Sequence, residues 1–225
     1  MNANSISLAD ALKQRRSVRG FLEKPVPQAV LDEVFSLAQH APSNCNIQPW
    51  QVWVASGAAR DTLRDRMVDK VSRGEPFEPD YDSLPRFEGV YRDRQVDCAM
   101  ALYGSMGIAR EDRDGRRRAE LRNFQLFDAP HVAFIGMERD FGVTVALDVG
   151  MYIQSLLLTM SAFGLGACAQ GSMRYYPADV REVLGIPDST AIVLGISFGY
   201  EDPDIAANKT RVGRVPLADS VRFCR

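Results

Sequence analysis

Three groups of residues in this chain have the types and spacing to bind a charged organic molecule. The first is the run Arg15-Arg16-Ser17-Val18-Arg19, and the second is the pair Lys209 and Arg211 near the other end. Guanidinium forks match phosphate oxygens in geometry, so cations of this kind can hold a phosphate group. A lone RRxxR also suits the negative C-terminal end of a helix, so its functional reading depends on the downstream partners. The third group is Ala41 to Trp50, APSNCNIQPW. Pro42 and Pro49 remove backbone donors, and Ser43, Asn44 and Asn46 favour turns, so this stretch is a loop. Its hydroxyl, amide and backbone donors, followed by a large aromatic, suit a flat polar heterocycle, although a plain helix-to-strand connection can have the same composition. Cations at both ends of a chain, flanking such a loop, are what a phosphate-bearing cofactor requires.

RRSVRGF, PSNCNIQPW, an apolar helical stretch ending in Gly164-Leu165-Gly166, and NKTR follow one another in the order seen in the FMN-dependent nitroreductase family. The chain resembles that family from about Arg15 to Arg211. The resemblance implies an α+β fold, a three-layer α/β/α sandwich with a mostly antiparallel central sheet, assembled as a domain-swapped homodimer. It implies FMN as cofactor and NADH or NADPH as electron donor, with a nitroaromatic, quinone or similar acceptor entering after the donor leaves. Because the flavin carries the hydride chemistry, no catalytic side chain is assigned. Arg15, Ser17, Arg19, Lys209 and Arg211 would hold the FMN phosphate and ribityl chain, with Arg16 on the same loop. Pro42, Ser43, Asn44 and Asn46 would reach the cofactor from the other subunit, and Gln170 and Gly171 would line the ring. Ser172 stands where many members have a second glycine. The region 74–124 varies in the family and shapes the substrate pocket, which points to Tyr91, Tyr103, Arg122, Asn123 and Phe124; packing is the alternative for each aromatic. Arg122 is a candidate partner for a carboxylated nitroaromatic. The same fold also supports enone reduction, dehalogenation and flavin breakdown, and a non-catalytic FMN-binding protein is a further alternative.

The chain has 225 residues, 46% of them hydrophobic, which is ample for one domain, 1–225, with its own core. A net charge of −2 gives no general attraction to nucleic acid or an anionic membrane. Cys45, Cys98, Cys168 and Cys224 contain no CxxC pair and only two histidines accompany them, so no zinc-ligand spacing exists. Free thiols and an N-terminal stretch unlike an export signal point to the cytoplasm. No GxSxG, HExxH or Walker motif supports hydrolysis or phosphoryl transfer.

Ser7, with Asp10 three residues on, opens a short helix that delivers the arginine run at its end. Pro27 starts a second helix carrying Val30, Leu31, Val34, Leu37 and Ala38, and this helix presents the polar loop. Gln51 to Ala55 reads as a short buried strand, followed by a charged helix from about Ala58 to Arg73. Gly74 to Gly89 reads as a surface loop of the kind that covers a site. Val96 to Ile108 and Arg110 to Arg122 read as an inserted pair of helices. His131 to Met137 is a central strand, whose first residue is a possible base but more naturally structural. Met151 to Ala169 approaches the ~20 residues that cross a bilayer, yet its Gln, Ser, Thr and Gly residues fit a helix in a core or a subunit interface instead. Gly164 to Ala169 matches GxGxxA but follows a helix and enters a strand, the reverse of a dinucleotide-binding turn. Pro177 to Leu184 is a short helix and Thr190 to Phe198 a buried strand; Val212 to Arg225 alternates weakly, and the family resemblance implies an edge strand that reaches across to a partner subunit.

Overall fold

The computed structural model describes residues 6–81 and 85–225. Helix α1 (Leu8–Gln14) is capped by Ser7, whose hydroxyl accepts the Asp10 N–H at 3.1 Å. Pro27 is the N-cap of α2 (Gln28–Ala38), which turns Leu31, Val34 and Ala38 inward. Strand β1 (Gln51–Ser56) leads into α3 (Gly57–Arg73). Then come α4 (Gly89–Ser105), α5 (Arg113–Leu121), β2 (His131–Glu138) and α6 (Val143–Ala162). The chain continues through β3 (Gly166–Gln170), α7 (Pro177–Leu184), β4 (Thr190–Gly199) and a one-turn helix α8 (Leu217–Ser220).

The sheet order is β1-β2-β4-β3, antiparallel throughout. Ala133, Ile135 and Met137 of β2, with Ile196 and Phe198 of β4, pack on one face against residues of α2 and α6. Val132, Phe134 and Ile192 pack on the other against Leu63 and Met67 of α3 and Val180 of α7. Side chains alternate along a strand, so Ile192 and Ile196 would share a face in a regular strand. They face opposite layers because the register passes from Ile135↔Leu194 to Gly136↔Ile192, leaving Val193 as a bulge. Helices on both faces of an antiparallel sheet are the expected layers.

Several elements differ from their sequence reading. Strand β1 pairs with β2 alone among the described strands and leaves Val54 exposed, so it is an edge strand and not a buried one. The segment after α3 is a loop, with positions 82–84 outside the described residues, but its first part is fastened down. Asp80 receives hydrogen bonds from Arg139, Arg181 and the Ile192 N–H, and the Phe77 ring stacks on Tyr175 at 4.3 Å. Helix α4 begins at Gly89, before any apolar repeat, and buries none of its residues. The tail 212–225 is exposed and forms no strand among the described residues. Helix α6 buries Val149, Tyr152, Leu156 and Met160 along one face while Val143, Leu147 and Met151 stay exposed. It is the one described helix long and apolar enough to cross a bilayer, and its buried face belongs to the core between sheet and α2.

Candidate functional site

The arginine run leaves α1 and lies alongside β3, where the Val18 N–H donates to the Ala167 carbonyl at 3.0 Å. Gly166 permits this approach, because a Cβ there would stand 2.9 Å from a Val18 methyl. Gly20 plays the same part against the other end of the chain, where a Cβ would strike the Ile205 side chain at 2.5 Å. Asn208 then ties the two ends together. Its Oδ1 accepts the Arg19 N–H at 2.6 Å, while its Nδ2 donates to the carbonyls of Gly20 at 2.9 Å and Asp202 at 2.8 Å. Each polar atom of this side chain is used, and the residue is only 3% exposed.

A cleft of about 710 Å³ opens between these joined ends. Its lining includes Lys13, Arg15, Arg16, Arg19, Arg211 and Arg214, together with Ser17 and Thr210, and no carboxylate among the described residues. Arg16 turns its guanidinium onto Glu201 in an ion pair, so its charge is largely spent. Arg15, Arg19, Arg211 and Arg214 make no ion pair among the described residues. Burial, and then the Arg214 charge, hold the Arg15 pKa below its usual value. Like charges gathered without counter-ions are stabilised by an anion, and guanidinium forks with hydroxyls fit a phosphate ester. Arg211 is braced by donating to the Asn208 and Thr210 carbonyls at 2.8 and 2.9 Å. Lys209 is exposed at the end of the Ala206–Lys209 turn.

The polar loop is anchored to α6 from below. The buried Asp148 carboxylate accepts the Asn44 N–H at 3.0 Å, and Trp50 stacks on Tyr152 with ring centres 4.8 Å apart. Burial pushes the Tyr152 pKa up to about 12. Ser43 Oγ accepts the Gln48 N–H at 2.9 Å, closing a turn in which Cys45, Asn46 and Gln48 take φ values of 49°, 57° and 46°. Non-glycine residues in that left-handed region are uncommon and concentrate at binding sites. Pro42, Asn44 and Asn46 are exposed, and none of the loop's four candidate residues lines the cationic cleft of its own chain.

Gln170 is 3% exposed and its side chain is committed inside the protein. Its Nε2 donates to the Asn123 carbonyl at 2.9 Å and its Oε1 accepts from Ser197 at 2.6 Å. Gly171 is open to solvent, and the buried Ser172 Oγ beside it has no hydrogen-bond partner among the described residues. A second cavity of about 440 Å³ shares Arg19 and Leu102 with the cleft and is lined further by Tyr103, Arg122 and Asn123. Arg122 is held by Asp128 through paired bonds of 2.9 and 2.6 Å, so its charge is already matched where a free carboxylate partner was expected. Phe124 lies instead in the core, against Phe77 and Tyr176. Tyr91 is exposed on α4 with the Arg94 guanidinium 5.7 Å above its ring. Asn208, Asp148 and Arg214 were missed by sequence reasoning. Arg214 continues the Arg211 cations, and Asn208 heads the NKTR motif, but nothing local marks Asp148.

A model of the nitroreductase family matches residues 12–200. The chain is 37% identical to nitroreductase NfnB of Mycolicibacterium smegmatis, over 98% of this chain and 96% of that protein. It is also 37% identical to 4-nitrobenzoate reductase of a Nocardioides species, over 97% of this chain and 91% of that protein. The crystal structure of the FMN-dependent nitroreductase NfnB from Mycobacterium smegmatis in complex with NADPH superposes with a TM-score of 0.92 at 38% identity, covering 97% of this chain and all of that one.

Proposed function

The chain belongs to the nitroreductase family, and from that footing we propose that it is an FMN-dependent oxidoreductase that takes electrons from NADPH or NADH and reduces nitroaromatics, quinones or similar acceptors. The carrying observation is the cleft lined, among the described residues, by six cations, Lys13, Arg15, Arg16, Arg19, Arg211 and Arg214, and no carboxylate. Bound FMN supplies the hydride chemistry. In this reading Arg15, Arg19, Arg211 and Arg214, with the Ser17 hydroxyl, hold the phosphate and ribityl end. Arg16 acts indirectly, bracing the segment through Glu201. Gly171 leaves room for a ring against the backbone, and the unpartnered Ser172 Oγ lies beside it. Gln170 supports that turn through Ser197 and Asn123 and need not touch the ring.

We read the polar loop, with Pro42, Ser43, Asn44 and Asn46, as completing the site of a second copy of this chain. Two features support a homodimer: the uncovered apolar face of α6 and the exposed tail with Leu217, Val221 and Phe223. Residues 1–225 form one domain in this reading, with 74–124 as an insertion that shapes the acceptor pocket through Tyr103 and Asn123. The four cysteines are unpaired, which suits a reducing cytoplasm. The test is the double variant Arg19→Ala/Arg211→Ala. It is expected to lose its flavin absorption on dialysis while the wild-type protein keeps it and is bleached by NADPH or NADH; full retention by the variant overturns the phosphate assignment.

A further inference from the structure

The cavity of about 440 Å³ beside the cationic cleft falls within the ~300–1,000 Å³ of sites that hold small molecules. Its wall includes the apolar side chains of Leu102, Tyr103, Met106, Phe127 and Ile205. The charged residues that line it, among the described residues, are Arg19, Glu120, Arg122 and Asp128. Asn123 lines it too, and the Asn123 carbonyl accepts the Gln170 Nε2–H at 2.9 Å. Gln170 precedes Gly171, where the flavin ring is read against the backbone. One wall of the cavity is therefore bonded directly to the turn that would meet the ring.

The charges around this cavity are not equally free. Arg122 is taken by Asp128, and the turn between them holds that pair in place. Leu126, Phe127 and Asp128 take φ values of 57°, 53° and 64°, successive non-glycine residues in the left-handed region. Leu126 and Phe127 are buried, and the Phe127 N–H donates to the Arg122 carbonyl at 3.1 Å, so the Asp128 carboxylate is returned onto the Arg122 guanidinium. Arg19 belongs to the phosphate end in the proposed function. Glu120 is left unmatched, since it makes no ion pair among the described residues. Burial, and then the Glu120 charge, raise the Tyr103 pKa, while the Arg116 charge lowers it to a smaller extent. Arg92, Arg110 and Arg116 line a neighbouring groove with Glu120 and are not part of this cavity's lining. A carboxylate entering the cavity would give up hydration for an apolar wall and meet an unpaired anion, with no free guanidinium to receive it. An uncharged ring of the same shape avoids that cost.

We propose that this cavity admits uncharged aromatic acceptors and disfavours carboxylated ones, with Glu120 and the Arg122–Asp128 pair setting the preference. The inference rests on the proposed oxidoreductase reading. The probes are 4-nitrobenzamide and 4-nitrobenzoate, which share the ring and nitro group and differ in charge, and the quantity to follow is the ratio of their affinities. In equilibrium dialysis against the oxidised flavoprotein at low ionic strength, where no donor is present and nothing turns over, the amide should bind about tenfold or more tightly than the carboxylate. KM values in turnover should keep that order. Asp128→Asn places a residue that accepts the same left-handed backbone, frees Arg122 for a paired bond to a carboxylate, and should bring the ratio to about one or reverse it. Glu120→Gln should narrow the ratio by part of that amount. Glu111→Gln removes an exposed carboxylate outside the cavity lining and should leave the ratio at its wild-type value. Equal binding of the two probes to the wild-type protein, tighter binding of the carboxylate, or a ratio that Asp128→Asn does not move overturns the proposal. An equal change in Glu111→Gln also overturns it, by assigning the preference to overall charge. A flavin that NADPH or NADH bleaches and both probes reoxidise with equal KM would overturn this preference and leave the oxidoreductase reading standing. A flavin that neither donor bleaches would sink that reading, while the dialysis ratio still decides whether the cavity discriminates.

Discussion

His131 begins β2 with its ring stacked on Phe198 at 5.3 Å and its Nε2 accepting the Val26 N–H at 3.0 Å, an arrangement that needs an unprotonated Nε2. Burial, and then the Arg60 charge, lower its pKa from 6.5. The folded protein thus holds this proton more weakly than the unfolded chain. Its contribution to stability is complete above about pH 6.5 and declines as the pH falls below that toward the lower folded-state value. His131→Phe should cost about 1–3 kcal/mol at pH 7.5 by leaving the Val26 N–H without an acceptor. The same variant should flatten the fall in melting temperature between pH 7 and 5; an unchanged slope would assign the acid sensitivity to other groups. At this scale the sequence was only partly legible. The arginines of RRSVR could be recognised by type, but the pairing that spends Arg16 on Glu201 joins residues 185 positions apart. The Arg122–Asp128 pair is local, yet nothing in the spacing chooses Asp128 over a ligand. Chemical capacity is a property of the residue, whereas its availability depends on neighbours brought by the fold.

Among the elements, those with a strong period or a defined stop could be read in advance. Helix α7 starts on Pro177 and ends at Gly185, which takes φ 64° as the left-handed cap, and β2 is buried from His131 to Met137. Helix α4 was read late because Val90 to Gln95 is polar around most of the helix and offers no period, and β1 was read as buried because an apolar run does not reveal how many neighbours it will have. The loop after α3 is the clearest case of tertiary override. Burial alone would raise the Asp80 pKa, but hydrogen bonds from Arg181, the Ile192 N–H and Arg139 outweigh it and leave the carboxylate below its ordinary value. Asp80→Asn should destabilise the protein by about 3–5 kcal/mol in urea unfolding, since it leaves the largely buried Arg181 without its counter-charge. Asp80 meets β4 at Ile192, whereas the cationic cleft adjoins the other end of the sheet at Ala167, paired with Phe198. The variant should therefore keep its FMN; parallel loss of flavin would show that the loop also supports the cofactor site.

On the scale of the whole molecule, the outer face of α6 carries Val143, Leu147 and Met151 in contact with solvent, at exposures of 80%, 65% and 40%. Large apolar patches on a protein surface mark interaction sites, and a copy of the same chain is the partner proposed above. Leu147→Asp places a charge in that face without disturbing the core. Sedimentation should find the wild-type protein dimeric and the variant shifted to monomer, with weakened FMN retention because each site would lose the partner's loop; a wild-type monomer would remove the shared-site reading. The Asn208 side chain also has a meaning in time. It closes the cleft by holding residues 19 and 20 to a loop 189 and 188 positions further along the chain. Contacts so far apart in sequence carry a high loop-closure cost and are suited to forming late. The flavin then meets a chain that is already folded, and can guard the structure without guiding it. FMN added to a refolding mixture should leave the folding rate unchanged and slow unfolding, because it binds contacts absent from the transition state. Faster folding with FMN would place the closing of the chain's two ends early.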